Sequence, residues 1–150
     1  MREDLLDALI ATEPFERLLR ERARPLVARA GAGQDLVLAA FARAAEVPVL
    51  AIAPGPREAQ DLAAGIASLL GRDRTALLPA WEALPYEGIS PSPEVAALRA
   101  DAARRARAAR GAFVLVAPVV AALQVVPPDL GAAEPVALAP GLDLAPDALA

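Results

Sequence analysis

Leu77-Leu-Pro-Ala-Trp-Glu-Ala-Leu-Pro-Tyr-Glu-Gly-Ile-Ser-Pro-Ser-Pro-Glu94 holds the only Trp and the only Tyr of the chain. Four prolines and one glycine punctuate it. Each proline fixes its own φ and forbids a helix or an inner strand at that point. A ring as large as Trp81 needs a surface to pack on. The stretch therefore specifies one backbone path, whereas the Ala, Leu and Val segments around it suit many folds. It reads as a crossover between elements that the flanking sequence must supply.

Those elements alternate on both sides. Val47-Pro-Val-Leu-Ala-Ile-Ala53 is a strand, apolar on both faces as a parallel strand should be. Pro54-Gly-Pro56 turns the chain. Pro56 then opens a helix to Leu70, with Leu62, Ile66, Leu69 and Leu70 inward and Gly71 as its stop. Residues 75–78 form the strand that enters the crossover. Beyond it, Ser92 caps a helix with Pro93 at the first position and Glu94 at the positive end of the dipole. That helix runs to about Arg110, and Gly111 ends it. Ala112-Phe-Val-Leu-Val-Ala117 is a strand, and residues 118–124 a short helix.

Toward the N-terminus, Leu5, Leu6, Leu9 and Ile10 mark one amphipathic helix. Thr12 is the expected N-cap of a second, running to about Arg24, with Phe15, Leu18 and Leu19 on its apolar side. Pro25-Leu-Val-Ala28 reads as a short buried strand and residues 36–45 as the helix after it. Four strands interleaved with helices predict an α/β fold, a parallel sheet with helices on both faces. After Val126 the character changes. Pro127, Pro128, Pro135, Pro140 and Pro146 alternate with Gly, Ala and Asp, and no Arg follows Arg110. The expected organisation is an α/β domain over residues 1–126. Residues 127–150 are a linker or the truncated start of another domain.

Composition narrows the chemistry. In 150 residues, 56% are apolar but only 3% aromatic, so the core must be thin layers of Leu, Val and Ala. A net charge of −4 argues against the whole domain being a nucleic-acid binder. Cys and His are absent, which removes disulfides, the usual zinc ligands, thiol nucleophiles and His-based triads. All 15 basic residues are Arg. No signal peptide is visible. The longest apolar run, residues 112–123, contains Pro118 and is too short to cross a bilayer. A soluble cytoplasmic protein with no membrane partner is expected.

Three motifs invite a chemical reading. Ala28-Arg-Ala-Gly-Ala-Gly33-Gln34-Asp35 lies between a strand and a helix, the setting of a phosphate-binding loop. The pattern G-x-x-x-x-G-K-[ST] needs Gly at 28, Lys at 34 and a hydroxyl at 35. Only Gly33 satisfies it. Gln34 brings no charge to a phosphate, and Asp35 repels one at the helix end that ought to attract it. The loop is therefore expected to be a glycine turn through Gly31 and Gly33, with no cofactor. A dinucleotide fingerprint fails too, because Leu36 stands where a small residue is needed and Pro54 where an acid is needed. The second motif is Arg99, Arg104, Arg105, Arg107 and Arg110. It is either a phosphate or acidic-partner surface, or a solvated helix face opposite a buried side marked by Val95, Leu98 and Ala102. The third is the crossover itself. Trp81 and Tyr86 either stack on a base or pin the loop to the core. No paired carboxylates, activated Ser or metal cluster appears, so no catalytic residue and no metal site is expected.

The string Leu78-Pro-Ala-Trp-Glu-Ala-Leu-Pro-Tyr-Glu-Gly-Ile-Ser-Pro91 resembles a signature of bacterial transcription-repair coupling factors (Mfd). Trp81, Glu82, Leu84, Pro85, Tyr86, Ser90 and Pro91 carry the likeness. The helix ending in Arg110-Gly111, the strand Phe113-Val-Leu-Val116 and the strand Val49-Leu-Ala-Ile-Ala-Pro54 match in order, and the likeness covers roughly residues 5–128. It implies a P-loop-NTPase-like module similar to the first domain of UvrB, with a degenerate phosphate loop. The family is implied to be an ATP-driven DNA translocase that displaces stalled RNA polymerase and recruits UvrA for excision repair. ATP and Mg would belong to motor domains outside this stretch, and UvrA, RNA polymerase and DNA would be partners of the longer protein. These residues are then a non-catalytic module. The alternatives are a stand-alone nucleotide- or DNA-binding domain using the 99–110 arginines, and a UvrB-type helicase fragment, which the missing Lys disfavours.

Overall fold

The computed structural model describes residues 2–27, 29–82, 88, 90–132 and 139–141. Its centre is a three-stranded parallel sheet in the order β1-β3-β2. β1 is Pro48–Ala53, β2 is Thr75–Leu77 and β3 is Phe113–Pro118. Six α-helices accompany it: α1 Arg2–Ile10, α2 Glu13–Glu21, α3 Gln34–Ala45, α4 Pro56–Leu70, α5 Pro93–Ala108 and α6 Val119–Leu123. No described helix is long and apolar enough to cross a membrane.

β3 organises the layers because both its faces are apolar. Val114 and Val116 point to one side, where Ala51 and Ala53 of β1 join them against α1, α3 and α4. Phe113, Leu115 and Ala117 point to the other, with Ala76 and Leu78, and meet α5 and α6. Helices thus lie on both faces, as the sequence predicts. The alanines set the spacing. Ala39, Ala40 and Ala42 of α3 and Ala59 and Ala63 of α4 are buried, and small side chains let these helices approach closely. Gly65 completes that contact. A Cβ there would come within 2.9 Å of the Asp35 Cβ.

Several helix ends follow the sequence signals, but α2 stops at Glu21 rather than about Arg24, and α5 at Ala108 rather than about Arg110. Pro56 opens α4, and Gly71, at φ +96°, stops it with its N–H on the Ala67 carbonyl. Ser92 caps α5 by accepting from the Val95 N–H at 3.3 Å. Replacing Ser92 with Ala should cost about 1 kcal/mol, read from urea unfolding. Thr12 behaves otherwise. Its carbonyl accepts from Phe15 and Glu16, but its hydroxyl donates backward to the Leu9 carbonyl. It joins α1 to α2 rather than capping with its side chain.

Two expectations about strands are corrected. Residues 25–27 are not a strand, and Val27 is fully exposed. Ala28 lies outside the described residues. β1 is also not covered on both faces. Leu50 and Ile52 are 58% and 55% exposed, although their register partners Leu115 and Ala117 sit under helices. The reason is lateral position. β1 is an edge strand, and α5 packs on β2 and β3 beyond its reach.

Candidate functional site

The glycine loop comes first, because a phosphate loop would be the chemical centre of such a sheet. Gly31 takes φ +53°, a left-handed turn that suits glycine. The Gly33 N–H donates to the Ala30 carbonyl, and the Gly33 carbonyl accepts from Val37, so the loop runs straight into α3. Asp35 turns its carboxylate back onto the Leu36 N–H at 2.9 Å. That is one of the main-chain donors a phosphate would use. A groove of about 340 Å³ opens at the loop, lined by Gly31, Ala32, Gln34, Asp35, Glu58, Asp61 and Leu62. Among the described residues, three carboxylates and no cation line it. The field at this helix end is set against an anion despite the favourable dipole. Among the described residues, no group of acids is arranged to hold a metal ion.

The arginines of α5 do not form one surface. Arg99 is fully buried, so its place on an exposed face is corrected. Leu98, expected on the buried side, is 54% exposed instead. The inward face is the one carrying Arg99, Ala102 and Ala106. On that face the Arg99 side chain reaches under the crossover to the carbonyl of Pro79. Arg105 reaches across to β2, where Nη2 donates to the Thr75 carbonyl at 2.7 Å and also to that of Arg72. Arg104 pairs with Asp101 at 2.5 Å on its own helix. Arg107 donates to the Pro128 carbonyl, which fastens the turn after Pro127 to α5. Arg110, just past the end of α5, is exposed and donates to the carbonyls of Arg107 and Ala109. A separate groove of about 920 Å³ gathers Arg43, Arg74, Arg104, Arg105 and Arg110 with Glu46 and Asp73.

The crossover is held by a clamp. The Trp81 N–H donates to Gln124 Oε1 at 2.8 Å, and Gln124 Nε2 donates to the Trp81 carbonyl at 3.5 Å. One side-chain amide thus meets both main-chain groups of Trp81, as a neighbouring strand residue would. Arg99 lies over the indole, its central carbon 4.4 Å from the ring centroid. Its Nη1 donates to the Pro79 carbonyl at 2.6 Å and to Gln124 Oε1 at 3.4 Å. Trp81 therefore pins the crossover to α5 and α6. Glu82 and Ser90 and Pro91 are exposed. Leu84, Pro85 and Tyr86 lie outside the described residues. The sequence marks Gln124 by contrast with its neighbours. It is the only polar residue between Ala112 and Val126.

No family model matches the chain. Two curated proteins do, the transcription-repair-coupling factors of Mycobacterium bovis and Mycobacterium tuberculosis, each 36% identical over 148 residues, 91% of this chain. The chain is homologous to the transcription-repair-coupling factors. It spans 12% of the length of these two relatives. The match takes in the glycine loop, the sheet and the Trp81 crossover together, since so little of the chain lies outside it. The likeness first carried by residues 78–91 thus extends to the frame around them.

Proposed function

We propose that this chain is a non-catalytic, UvrB-like module of a transcription-repair coupling factor. Residues 1–126 form its P-loop-NTPase-like domain, and residues 127–150 lead into a further domain that contacts UvrA. In the longer protein, ATP-driven movement along DNA displaces stalled RNA polymerase, and this module serves as a docking and framing element for that work. ATP and Mg bind elsewhere in that protein. The observation that carries the reading is the groove at the glycine loop, where Asp35, Glu58 and Asp61 stand with no cation. A parallel sheet with a glycine loop opening α3 supports descent from a nucleotide-binding fold. The acids at its mouth support the loss of the nucleotide.

The test uses the full-length coupling factor. Replacing Gln34 and Asp35 together with Ala should leave ATP-driven translocation within about twofold of the parent, a barrier change under about 0.5 kcal/mol. Loss of translocation in that variant, with folding intact by circular dichroism, would overturn the reading.

The groove lined by Arg43, Arg74, Arg104, Arg105 and Arg110 favours a second reading, a DNA contact made by the ends of α3 and α5. It requires an affinity for duplex DNA that falls steeply with salt. Arg43 already pairs with Asp7, and Arg105 is committed to β2. Arg74→Ala with Arg110→Ala is then the informative variant, measured by fluorescence anisotropy.

A further inference from the structure

Arg99 is the only fully buried charged side chain among the described residues. Its Nη1 is occupied by Pro79 and Gln124. Its Nε and Nη2 are buried and have no hydrogen-bond partner among the described residues. None of the described ion pairs involves it. A guanidinium stays charged when buried, although burial lowers its pKa from the ordinary value. A buried cation without a counter-ion is among the costlier arrangements in a protein.

The two idle atoms are neighbours. Nε and Nη2 form one edge of the guanidinium, with two parallel N–H groups at the spacing of the two oxygens of a carboxylate. A neutral acceptor satisfies one donor and leaves the charge. A carboxylate satisfies both and cancels it. Its planarity also matters, because the indole of Trp81 occupies the face of the guanidinium. A planar group in the guanidinium plane adds no bulk toward the ring, whereas a tetrahedral phosphate does.

We propose that the Nε–Nη2 edge of Arg99 is a receptor for a single carboxylate, and that Trp81 reports its occupation. Two sources offer that chemistry. Glu82 follows Trp81 directly and is exposed in this structure. An acidic side chain from a binding partner is the other. The site is distinct from the glycine loop and does not depend on the reading of that loop.

Trp81 is the only indole, so its emission is specific to this site. The 150-residue chain and its Glu82→Gln variant are compared in acetate and in chloride at matched ionic strength and neutral pH. If the source is external, acetate shifts the emission of the parent chain and raises its melting midpoint by about 2–4 °C. If the source is Glu82, the parent is indifferent and Glu82→Gln alone shows both responses. An acetate response in neither protein overturns the proposal. Arg99→Lys keeps the charge but lacks the paired donors, so it must lose the response. A response that persists in Arg99→Lys equally overturns the proposal. Should Arg99→Lys fail to fold, the parent and Glu82→Gln still decide between receptor and no receptor.

Discussion

Val116→Asp is expected to abolish cooperative folding. Val116 is fully buried in β3, the central strand, between Ala51 of β1 and Leu77 of β2. Its carbonyl also accepts from the Leu78 N–H at 2.8 Å, where the chain leaves β2 for the crossover. A carboxylate there faces the layer of α3 and α4 alanines and finds no cation. The cost is about 4 kcal/mol or more, a large share of the roughly 5–15 kcal/mol that stabilises a domain. Urea unfolding followed by circular dichroism should show no sigmoidal transition. Leu50→Asp supplies the contrast. It places the same group on β1, at a position that is mostly exposed. That change should cost about 0.5 kcal/mol or less. A large loss at Leu50 would mean that the outer face of β1 is covered.

The second large effect is expected at Gln124. Gln124→Ala removes both hydrogen bonds to the Trp81 main chain and one acceptor from Arg99. The half-buried Trp81 N–H and the buried Arg99 nitrogen lose a partner together. The expected cost is about 1–3 kcal/mol. Trp81 emission should move to longer wavelength as the crossover loosens and water reaches the ring. Gln124→Glu keeps an acceptor for Trp81 and Arg99 but loses the donor. It also gives the buried Arg99 a counter-ion, so its stability should stay above that of Gln124→Ala. Equal stability and unchanged emission in Gln124→Ala would contradict the clamp.

Much of the fold was legible because the signals are local. Pro56 and Gly71 bound α4, Ser92 and Pro93 start α5, and the run from Phe113 to Ala117 is too apolar for anything but an inner strand. Local chemistry alone decides these features. What failed depends on neighbours. Pro25-Leu-Val-Ala28 has the composition of a strand, but composition does not supply a pairing partner, and residues 25–27 stay outside the sheet. Leu50 and Ile52 have the pattern of a strand buried on both sides, yet α5 packs over β2 and β3 and leaves that face of β1 open. The sequence groups Arg99 with the other arginines because it predicts one helix running to about Arg110, whereas α5 ends at Ala108. Only the tertiary structure shows that Arg99 turns inward beneath Trp81 while Arg104 and Arg110 remain at the surface. The candidate site shows the same division. Missing side chains at positions 34 and 35 were visible in the sequence, whereas the acids Glu58 and Asp61 join Asp35 only through the packing of α3 on α4.

The central claim of the proposed function is that the glycine loop does not bind nucleotide. Calorimetric titration of the 150-residue chain with ATP and Mg²⁺ tests it most directly. The account predicts no heat beyond dilution, because Gln34 and Asp35 stand where a lysine and a hydroxyl are needed, and Glu58 and Asp61 add two more carboxylates to the groove. A Mg²⁺-dependent isotherm with a Kd in the micromolar range, about −8 kcal/mol of binding, would contradict it.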